Sequence, residues 1–212
     1  METILLRKEF SSAAAIRAAE VLRAGGVVLY PTDTLYGLGV DAFSDVAVAK
    51  IYAIKGREEG KPIHAIVSDI EMVDQYAEVN DVTHNLIEKF PKGQVTIVLR
   101  KKNLGSGIAK DVDTFGFRIP DNDFCIELVR AFGSPVTATS ANKSGETPRR
   151  SVKEILDQLG DAAQRIDLVI DAGELPARKP STVVDLSAIE PRILREGAVS
   201  ADEIINLLRD TS

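Results

Sequence analysis

The chain has 212 residues, 44% of them hydrophobic and 27% charged, and these values are typical of a soluble globular protein with one or two domains. Its net charge of −6 argues against a nucleic-acid binder that depends on overall positive charge, but it leaves room for a local basic patch. The single cysteine, Cys125, excludes an intrachain disulfide framework and shares an apolar helical stripe that indicates core packing. Because no apolar run reaches membrane-spanning length, we expect a cytoplasmic protein with no membrane partner.

The predicted helices and strands alternate along the chain. An apolar run at residues 4–6 precedes a first helix that Ser11 or Ser12 caps and that Gly25 or Gly26 ends. The segments that follow are, in chain order, strand VVLYPT, helix SDVAVAKIYAIKGR, strand KPIHAIV, helix DVTHNLIEKF, strand QVTIVLRKK, strand TFGFRIPD, helix DNDFCIELVRAFG, strand SPVTATS, helix SVKEILDQLG, strand IDLVIDAG, strands STVVDL and PRILREG, and helix SADEIINLLRD. This alternation predicts an α/β domain with a largely parallel or mixed sheet.

No common nucleotide-binding or catalytic motif is present. The sequence lacks a GxGxxG after a strand, a GxxxxGK[ST] loop and a GxSxG elbow. Its two histidines, His64 and His84, have no partner at metal-ligand spacing, so we expect no metal held by protein side chains. A Ser-His-Asp triad is not excluded, but nothing points to one. What remains is a series of loops that follow strands, where open α/β sheets bind their ligands.

Two of these loops offer hydroxyl groups and cations. In YPTDTLYGLG, Thr32, Thr34 and Tyr36 offer hydroxyls, although a turn with one satisfied tyrosine is the favoured interpretation of this stretch alone. In IKGREEGKP, Lys55 and Arg57 can face one way if the glycine between them ends the helix, and we then expect both past the helix end and outside the core. The structural alternative, that cations stabilise a helix C-terminus, is at least as well supported here.

Polar groups also follow or interrupt three later strands. In SPVTATSANKSG, Ser140 and Asn142 would point to the same side of an extended segment, and the structural alternative is an Asx or ST turn. Arg118 in GFRIP needs a carboxylate or phosphate partner if it is buried, whereas on an edge strand it would lie in solvent. The last two motifs, STVVDL and ILREG, contribute Ser181, Thr182 and Arg195.

His64 lies in a predicted strand, between two apolar residues. Its side chain therefore points away from the face that those neighbours occupy. Taken alone, a partly exposed structural histidine is the favoured interpretation.

Six motifs, in order PTDTLYGLG, KGREEGKPIH, FRIPD, TSANKSG, STVVDL and ILREGAV, closely resemble those of the YrdC/TsaC family of threonylcarbamoyl-AMP synthases. The resemblance covers residues 22–199, nearly the whole chain. The family signature pairs a lysine and an arginine in KxR with a serine and an asparagine in SxN, which here are Lys55, Arg57, Ser140 and Asn142. One segment departs from the family, because FPKGQVTIVL stands where WPGPLTL is usual.

The resemblance implies a single YrdC-like catalytic domain over residues 1–212, with a twisted open sheet flanked by helices, as in the short family members. It implies that L-threonine, bicarbonate and ATP form threonylcarbamoyl-AMP and pyrophosphate, for threonylcarbamoylation of a tRNA adenosine. ATP would be a substrate, with Mg²⁺ bound through its triphosphate. A downstream threonylcarbamoyl transferase would be a partner.

The resemblance also implies roles for single residues. Catalytic residues would be Lys55, Arg57, Ser140 and Asn142; the ATP-binding set would add Thr114 and Arg195; the threonine-binding set would be Thr32, Thr34, Tyr36, His64, Arg118 and Ser181, with Arg118 on the carboxylate. We further predict that the run 139–145 forms the floor of a phosphate site, because short side chains let a phosphate approach backbone N–H groups.

Two other functions stay open. One is an RNA-binding module with a local basic concave face. The other is a carbamoyl-adenylating domain that acts on an acceptor other than threonine.

Overall fold

The computed structural model describes residues 1–7 and 11–210. The helices in this part of the chain are α1 (Ser11–Arg23), α2 (Asp45–Lys55), α3 (Ile70–Asp74), α4 (Asp81–Lys89), α5 (Asp123–Phe132), α6 (Val152–Leu159) and α7 (Ala201–Asp210). The strands are β1 (Glu2–Leu5), β2 (Val28–Pro31), β3 (Tyr36–Gly39), β4 (Ala65–Ile66), β5 (Val95–Arg100), β6 (Thr114–Arg118), β7 (Val136–Thr137), β8 (Thr139–Ser140), β9 (Leu168–Asp171), β10 (Thr182–Asp185) and β11 (Arg192–Arg195). None of the described helices is long and apolar enough to cross a bilayer.

The strands are divided between two mixed sheets. The first sheet has five strands in the order β1-β9-β2-β3-β8, and the second has six in the order β11-β10-β5-β6-β4-β7. Parallel pairs such as β1 with β9 and β5 with β10 lie beside antiparallel pairs such as β2 with β3. The predicted α/β fold with mixed strands and flanking helices is confirmed, while the division into two sheets was not visible in the sequence.

The predicted strand in SPVTATS is two short strands that belong to different sheets. β7 pairs with β4 in the second sheet and β8 pairs with β3 in the first, with Ala138 between them. The buried hydroxyl of Thr137 donates to the carbonyl of Leu38 at 3.1 Å and accepts from the backbone N–H of Val40 at 3.0 Å. This threonine therefore links the two sheets where the chain crosses from one to the other.

Both faces of the first sheet are covered by helices. In β2, Val28 and Tyr30 pack with α1 and α5, while Leu29 between them packs with α2 and α6. A strand that is buried on both faces needs an unbroken apolar run, which VVLYP supplies. Cys125 is fully buried in the core between α1 and α5, as predicted.

The second sheet packs helices against one face and lines cavities with the other. In β6, Phe115 and Phe117 lie in a core shared with α4 and α7. Because side chains alternate along a strand, the remaining β6 residues face the opposite way. These residues line cavities: Thr114, Gly116 and Arg118.

Local capping chemistry sets the helix ends near the site. The hydroxyl of Ser44 accepts from the N–H of Ala47 to start α2, and Gly56 ends the helix in the left-handed conformation at φ +56°. α1 ends before Gly25, which has φ +76°, as predicted. α1 begins at Ser11, and the position before it lies outside the described residues.

The sequence did not predict β3. Glycine has low strand propensity, and two of the four β3 residues are Gly37 and Gly39. A Cβ on Gly39 would lie 2.6 Å from the ring of Tyr30, so this strand can pair with β2 only if the position is glycine.

Candidate functional site

Two adjoining cavities lie against the β6 face that carries Thr114 and Arg118. The arginine cavity, as we call the first, has a volume of about 460 Å³, and its lining includes Arg57, Arg118, Arg178 and Arg195. The second, the apolar cavity, has a volume of about 550 Å³ and is lined by Thr114, many aliphatic side chains and six charged residues. His64 and Arg195 line both cavities.

The fold brings most of the predicted site residues to the arginine cavity. Those that line it are Thr32, Thr34, Tyr36, Arg57, His64, Arg118, Ser140, Ser181 and Arg195. Thr114 lines the adjoining apolar cavity. Lys55 and Asn142 line neither cavity, because both are buried and bonded to Ser140.

Lys55 is the last residue of α2 and is only 3% exposed. Its ammonium group donates to the carbonyl oxygens of Ser140 and Asn142, the latter at 2.9 Å, and to Asn142 Oδ1 at 3.3 Å. Burial, and then the nearby charge of Arg57, lowers the pKa of Lys55 to about 8. The expectation that Lys55 lies past the helix end and outside the core is wrong, because the helix includes Lys55 and the following turn supplies acceptors for a buried ammonium group.

Asn142 organises the turn that follows β8. Its Oδ1 accepts from Ser140 Oγ at 2.5 Å as well as from Lys55. Its Nδ2 donates to the carbonyls of Lys143 at 2.7 Å and Glu146 at 2.8 Å. The polar run therefore does form a tight turn, and the same bonds hold Ser140 on the cavity wall.

Arg57 lies past the helix end, as predicted. Its Nη2 donates to the carbonyl of Pro62 at 3.1 Å, and its Nε is buried with no hydrogen-bond partner among residues 1–7 and 11–210. No carboxylate within the described part of the chain forms an ion pair with Arg57. Its charge is therefore available to an anion in the arginine cavity.

Arg118 pairs with a carboxylate that sequence reasoning missed. Its Nη1 donates to Asp33 Oδ2 at 2.8 Å, and each side chain is only 5% exposed. Burial raises the pKa of Asp33, and the adjacent guanidinium opposes that rise. Asp33 Oδ1 and Arg118 Nε are buried without partners among the described residues, so the pair keeps one unused acceptor and one unused donor. The only signal in the sequence was a single acidic residue inside the otherwise uncharged stretch VVLYPTDTLYGLG.

The segment that departs from the family, FPKGQVTIVL, supports this ion pair. The carbonyl of Gly93 accepts from Arg118 Nη1 at 3.1 Å. Gly93 has φ +79°, and a Cβ there would lie 2.2 Å from Asp33 Oδ2. Both the backbone conformation and the close approach of the carboxylate therefore require glycine at this position.

His64 stands where the two cavities meet. It is half-buried beside β4, and it packs against Gly116, where a Cβ would come within 3.3 Å of His64 Cβ. Burial, and to a smaller extent three nearby arginines, lowers the pKa of His64 to about 3. The imidazole is therefore neutral at pH 7 and can donate one hydrogen bond and accept another.

Arg195 and Ser181 lie side by side on the cavity wall. Arg195 Nη2 donates to the Ser181 carbonyl at 2.8 Å, and Ser181 Oγ lies 2.7 Å from Thr96 Oγ1. A Cβ on Gly197 would lie 2.2 Å from the Pro180 carbonyl oxygen, so glycine lets the two backbones approach. This contact places a guanidinium and a hydroxyl at one end of the site.

The hydroxyls of the β2–β3 connection are partly used within the protein. Thr32 Oγ1 donates to the Leu35 carbonyl at 2.7 Å and accepts from the Thr34 N–H at 3.1 Å, which is an ST turn. The Tyr36 hydroxyl donates to the Gly173 carbonyl at 2.8 Å, and burial raises its pKa to about 12. The interpretation as a turn with one satisfied tyrosine is correct for this stretch, although the three predicted residues also line the arginine cavity.

The arrangement suits anion binding and positioning. Four guanidinium groups and one carboxylate line or support a single cavity, with a neutral histidine at its boundary. In the part of the chain that the structure describes, no group of three or more His, Cys, Asp or Glu residues could hold a metal ion.

Comparison with known proteins identifies a family model and several similar proteins. A family model described as Telomere recombination, Sua5_yciO_yrdC, matches residues 20–197. The threonylcarbamoyl-AMP synthase of Mus musculus is 40% identical over an alignment of 184 positions, which covers 82% of this chain and 63% of that protein. A Methanocaldococcus jannaschii protein, provisionally named as the same enzyme, is 38% identical over 181 residues, 85% of this chain and 84% of that protein.

The fold is also similar to that of a solved structure. Sua5 from P. abyssi, crystallised in complex with L-threonine, superposes with a TM-score of 0.86 at 30% sequence identity. The match covers 98% of this chain and 60% of that chain. This chain therefore spans less than two thirds of the mouse and P. abyssi proteins.

Proposed function

This chain belongs to the Sua5/YciO/YrdC family, and we propose that it is a threonylcarbamoyl-AMP synthase that uses L-threonine, bicarbonate and ATP. The observation that carries the proposal is the single arginine cavity, where residues from six separate motifs meet beside an apolar cavity of nucleoside size. The product would serve threonylcarbamoylation of a tRNA adenosine by a downstream transferase in the cytoplasm.

The reaction has two steps. The threonine nitrogen forms a bond to the carbon of bicarbonate, and water and a proton are released, which leaves N-carboxy-threonine with two carboxylates. An oxygen of the new carboxylate then bonds to the α-phosphorus of ATP, the bond to the bridging oxygen breaks, and pyrophosphate leaves. Both steps bring several anions together, so they need positioning and charge stabilisation more than a covalent nucleophile.

The two cavities suit the two parts of the reactants. The apolar cavity would take the adenosine, because Val48, Tyr52, Ile108 and Leu194 offer it an apolar wall and Thr114 a hydroxyl. The arginine cavity would take the triphosphate and the amino acid. Arg195 lines both, so we assign it to the phosphate nearest the nucleoside.

The phosphate end would consist of Arg57, Ser140 and the turn that Lys55 holds. Arg57 brings an uncompensated charge to the cavity wall. Lys55 lies beneath Ser140 and adds positive charge through the turn to which it is bonded. Mg²⁺ would enter with ATP as part of this substrate, because it prefers phosphate and water ligands.

The threonine end would consist of Arg118 and the groups around it. The planar guanidinium of Arg118, which lines the cavity, suits a carboxylate. The neutral His64 and the hydroxyls of Thr32 and Ser181 line the same cavity and can bond the threonine hydroxyl.

One assay tests the proposal. Purified protein with Mg²⁺ and ATP should release pyrophosphate and form threonylcarbamoyl-AMP only when both L-threonine and bicarbonate are present. Release that ignores threonine would favour the carbamoyl-adenylating alternative. No release from folded protein, combined with RNA binding that weakens steeply as salt rises, would favour the RNA-binding module.

A further inference from the structure

The loop 172–180 carries a cation to the arginine cavity and is fixed at both ends. At its start, the Tyr36 hydroxyl donates to the Gly173 carbonyl at 2.8 Å and accepts from the Ala172 N–H at 2.9 Å. At its end, the Pro180 carbonyl accepts from the Ala198 N–H at 2.8 Å. The loop therefore follows a defined path to the cavity wall, where Arg178 is part of the lining.

The Arg178 guanidinium has no partner of its own within residues 1–7 and 11–210. No hydrogen bond or ion pair is formed by its side chain there, whereas Arg118 and Arg195 are each bonded to other groups in the same cavity. Lys179, the next residue, is also exposed but lines neither cavity. Arg178 is therefore part of the cavity wall, whereas Lys179 is not.

Arg178 lines the same cavity as Arg118, and its charge influences the Asp33–Arg118 end of that cavity. Burial raises the pKa of Asp33, and the charges of Arg118 and Arg178 both oppose this rise. Because Asp33 already neutralises Arg118 at 2.8 Å, the buried pair carries little net charge. Arg178 therefore supplies the excess positive charge at this end.

The charge of the amino-acid substrate changes during the proposed reaction. Free threonine is a zwitterion with one carboxylate and one ammonium group, and the neutral Asp33–Arg118 pair is a suitable complement to it. N-carboxy-threonine has lost the ammonium charge and gained a second carboxylate. It needs a second cation, and a guanidinium suits a carboxylate by its planar pair of donors.

We infer that Arg178 is a substrate-binding residue that pairs with the carboxylate on the nitrogen of N-carboxy-threonine, and so selects the carboxylated amino acid over free threonine. This inference rests on the proposed function and adds to it a residue that distinguishes the two forms of the substrate.

The test compares two stable ligands that differ by one carboxylate. N-oxalyl-L-threonine carries a second carboxylate beyond the amide, and N-acetyl-L-threonine carries a methyl group there. Calorimetric titration without nucleotide should show that Arg178→Gln weakens binding of the oxalyl ligand about tenfold and changes binding of the acetyl ligand less than about twofold. Arg178→Lys should recover part of the loss, and the matched control Lys179→Gln should bind both ligands as the unaltered protein does.

Turnover provides a second readout. Arg178→Gln should raise the KM for bicarbonate and leave the KM for ATP unchanged. A raised KM for ATP with unchanged bicarbonate dependence would place Arg178 on the triphosphate and overturn the inference. Equal loss of both threonine ligands, or no loss of either, would also overturn it. If the unaltered protein makes no threonylcarbamoyl-AMP, the proposed function itself fails, and this outcome is separate from the ligand comparison.

Discussion

The two buried cations near the arginine cavity, Arg118 and Lys55, have different kinds of hydrogen-bond partner. At one end, Arg118 is paired with Asp33 at 2.8 Å, and its charge is neutralised inside the protein. At the other end, Lys55 is bonded to carbonyl and amide oxygens of residues 140 and 142, and within the described residues it has no carboxylate partner. The Asp33–Arg118 pair itself is nearly neutral, whereas Lys55, behind the cavity wall, keeps its positive charge.

This difference matches the charges of the proposed reactants. An amino-acid zwitterion needs a donor and an acceptor with little net charge, whereas a triphosphate needs excess positive charge. The energetic costs of the two arrangements also differ. Removing one member of an ion pair destabilises the folded state, because the other charge is left buried without a partner. A buried lysine without a carboxylate partner destabilises its own charged form through desolvation. Each of the following predictions tests one side of this difference.

The largest effect is expected from breaking the ion pair. Arg118→Met should lower the free energy of unfolding by about 3–5 kcal/mol, because it leaves the Asp33 carboxylate buried without a partner. Urea denaturation measures this loss. The double variant Arg118→Met with Asp33→Leu should be less destabilised than Arg118→Met alone, and a double variant that is equally unstable would show that packing, not charge, explains the loss.

The next effect is a pH dependence of the free energy of unfolding that we attribute to Lys55. The pKa of Lys55 is about 8 in the folded protein against 10.5 for an ordinary lysine, so between these values the unfolded chain binds the proton and the folded protein does not. The free energy of unfolding should therefore rise with pH from 8 to 10, by roughly 2–3 kcal/mol.

Denaturation curves between pH 7.5 and 10 should show that Lys55→Met removes this rise. Lys50→Met, on the same helix, is the matched control, because Lys50 donates to the Gly25 carbonyl away from both cavities. It should keep the rise, and a rise that persists in Lys55→Met would mean that another group causes it.

A smaller difference in the free energy of unfolding is expected between variants of the two cations of the KxR motif, Lys55 and Arg57. Lys55→Ala should lower the free energy of unfolding by about 1–3 kcal/mol, because it removes the donor that holds the turn after β8. Arg57→Ala, beyond the helix end and half-buried, should change it by less than about 0.5 kcal/mol. Both should depress turnover per folded molecule, Arg57→Ala because it removes a proposed ATP-binding residue and Lys55→Ala because it loosens the turn that holds Ser140. Equal stability of the two variants would contradict the structural distinction between them.

The smallest effect is expected at the cavity wall. Ser140→Ala removes a hydroxyl that donates to Asn142 and should weaken ATP binding by about 1 kcal/mol, while Ser140→Leu should weaken it further because it also fills space. Calorimetric titration of ATP and melting temperature should be measured on both variants. Thr147→Ala, at an exposed position just beyond the 139–145 run, is the control and should bind ATP normally. Lowered stability with unchanged ATP affinity in both Ser140 variants would end the phosphate-floor interpretation.

The sequence by itself determined the features that depend on neighbouring residues. The start of α2 at Ser44 and its end at Gly56 follow from a hydroxyl and a left-handed glycine within one turn of the helix. The unbroken apolar run in β2 and the alternation in β6 follow from the two-residue period of strands. The ordered motifs were sufficient to name half of the residues that line the arginine cavity, nine of 18.

Only the tertiary structure decided the features that depend on distant residues. Asp33 and Arg118 are 85 positions apart in the chain, so nothing local indicates that one neutralises the other. The burial of Lys55 depends on acceptors 85 and 87 positions away, in β8 and in the turn that follows it. Arg178 is an ordinary loop cation by composition, and it becomes a cavity residue because both ends of its loop are bonded to distant strands and turns. Electrostatic and hydrogen-bond partnerships are set by proximity in space, and in this chain that proximity arises from the way the two sheets meet.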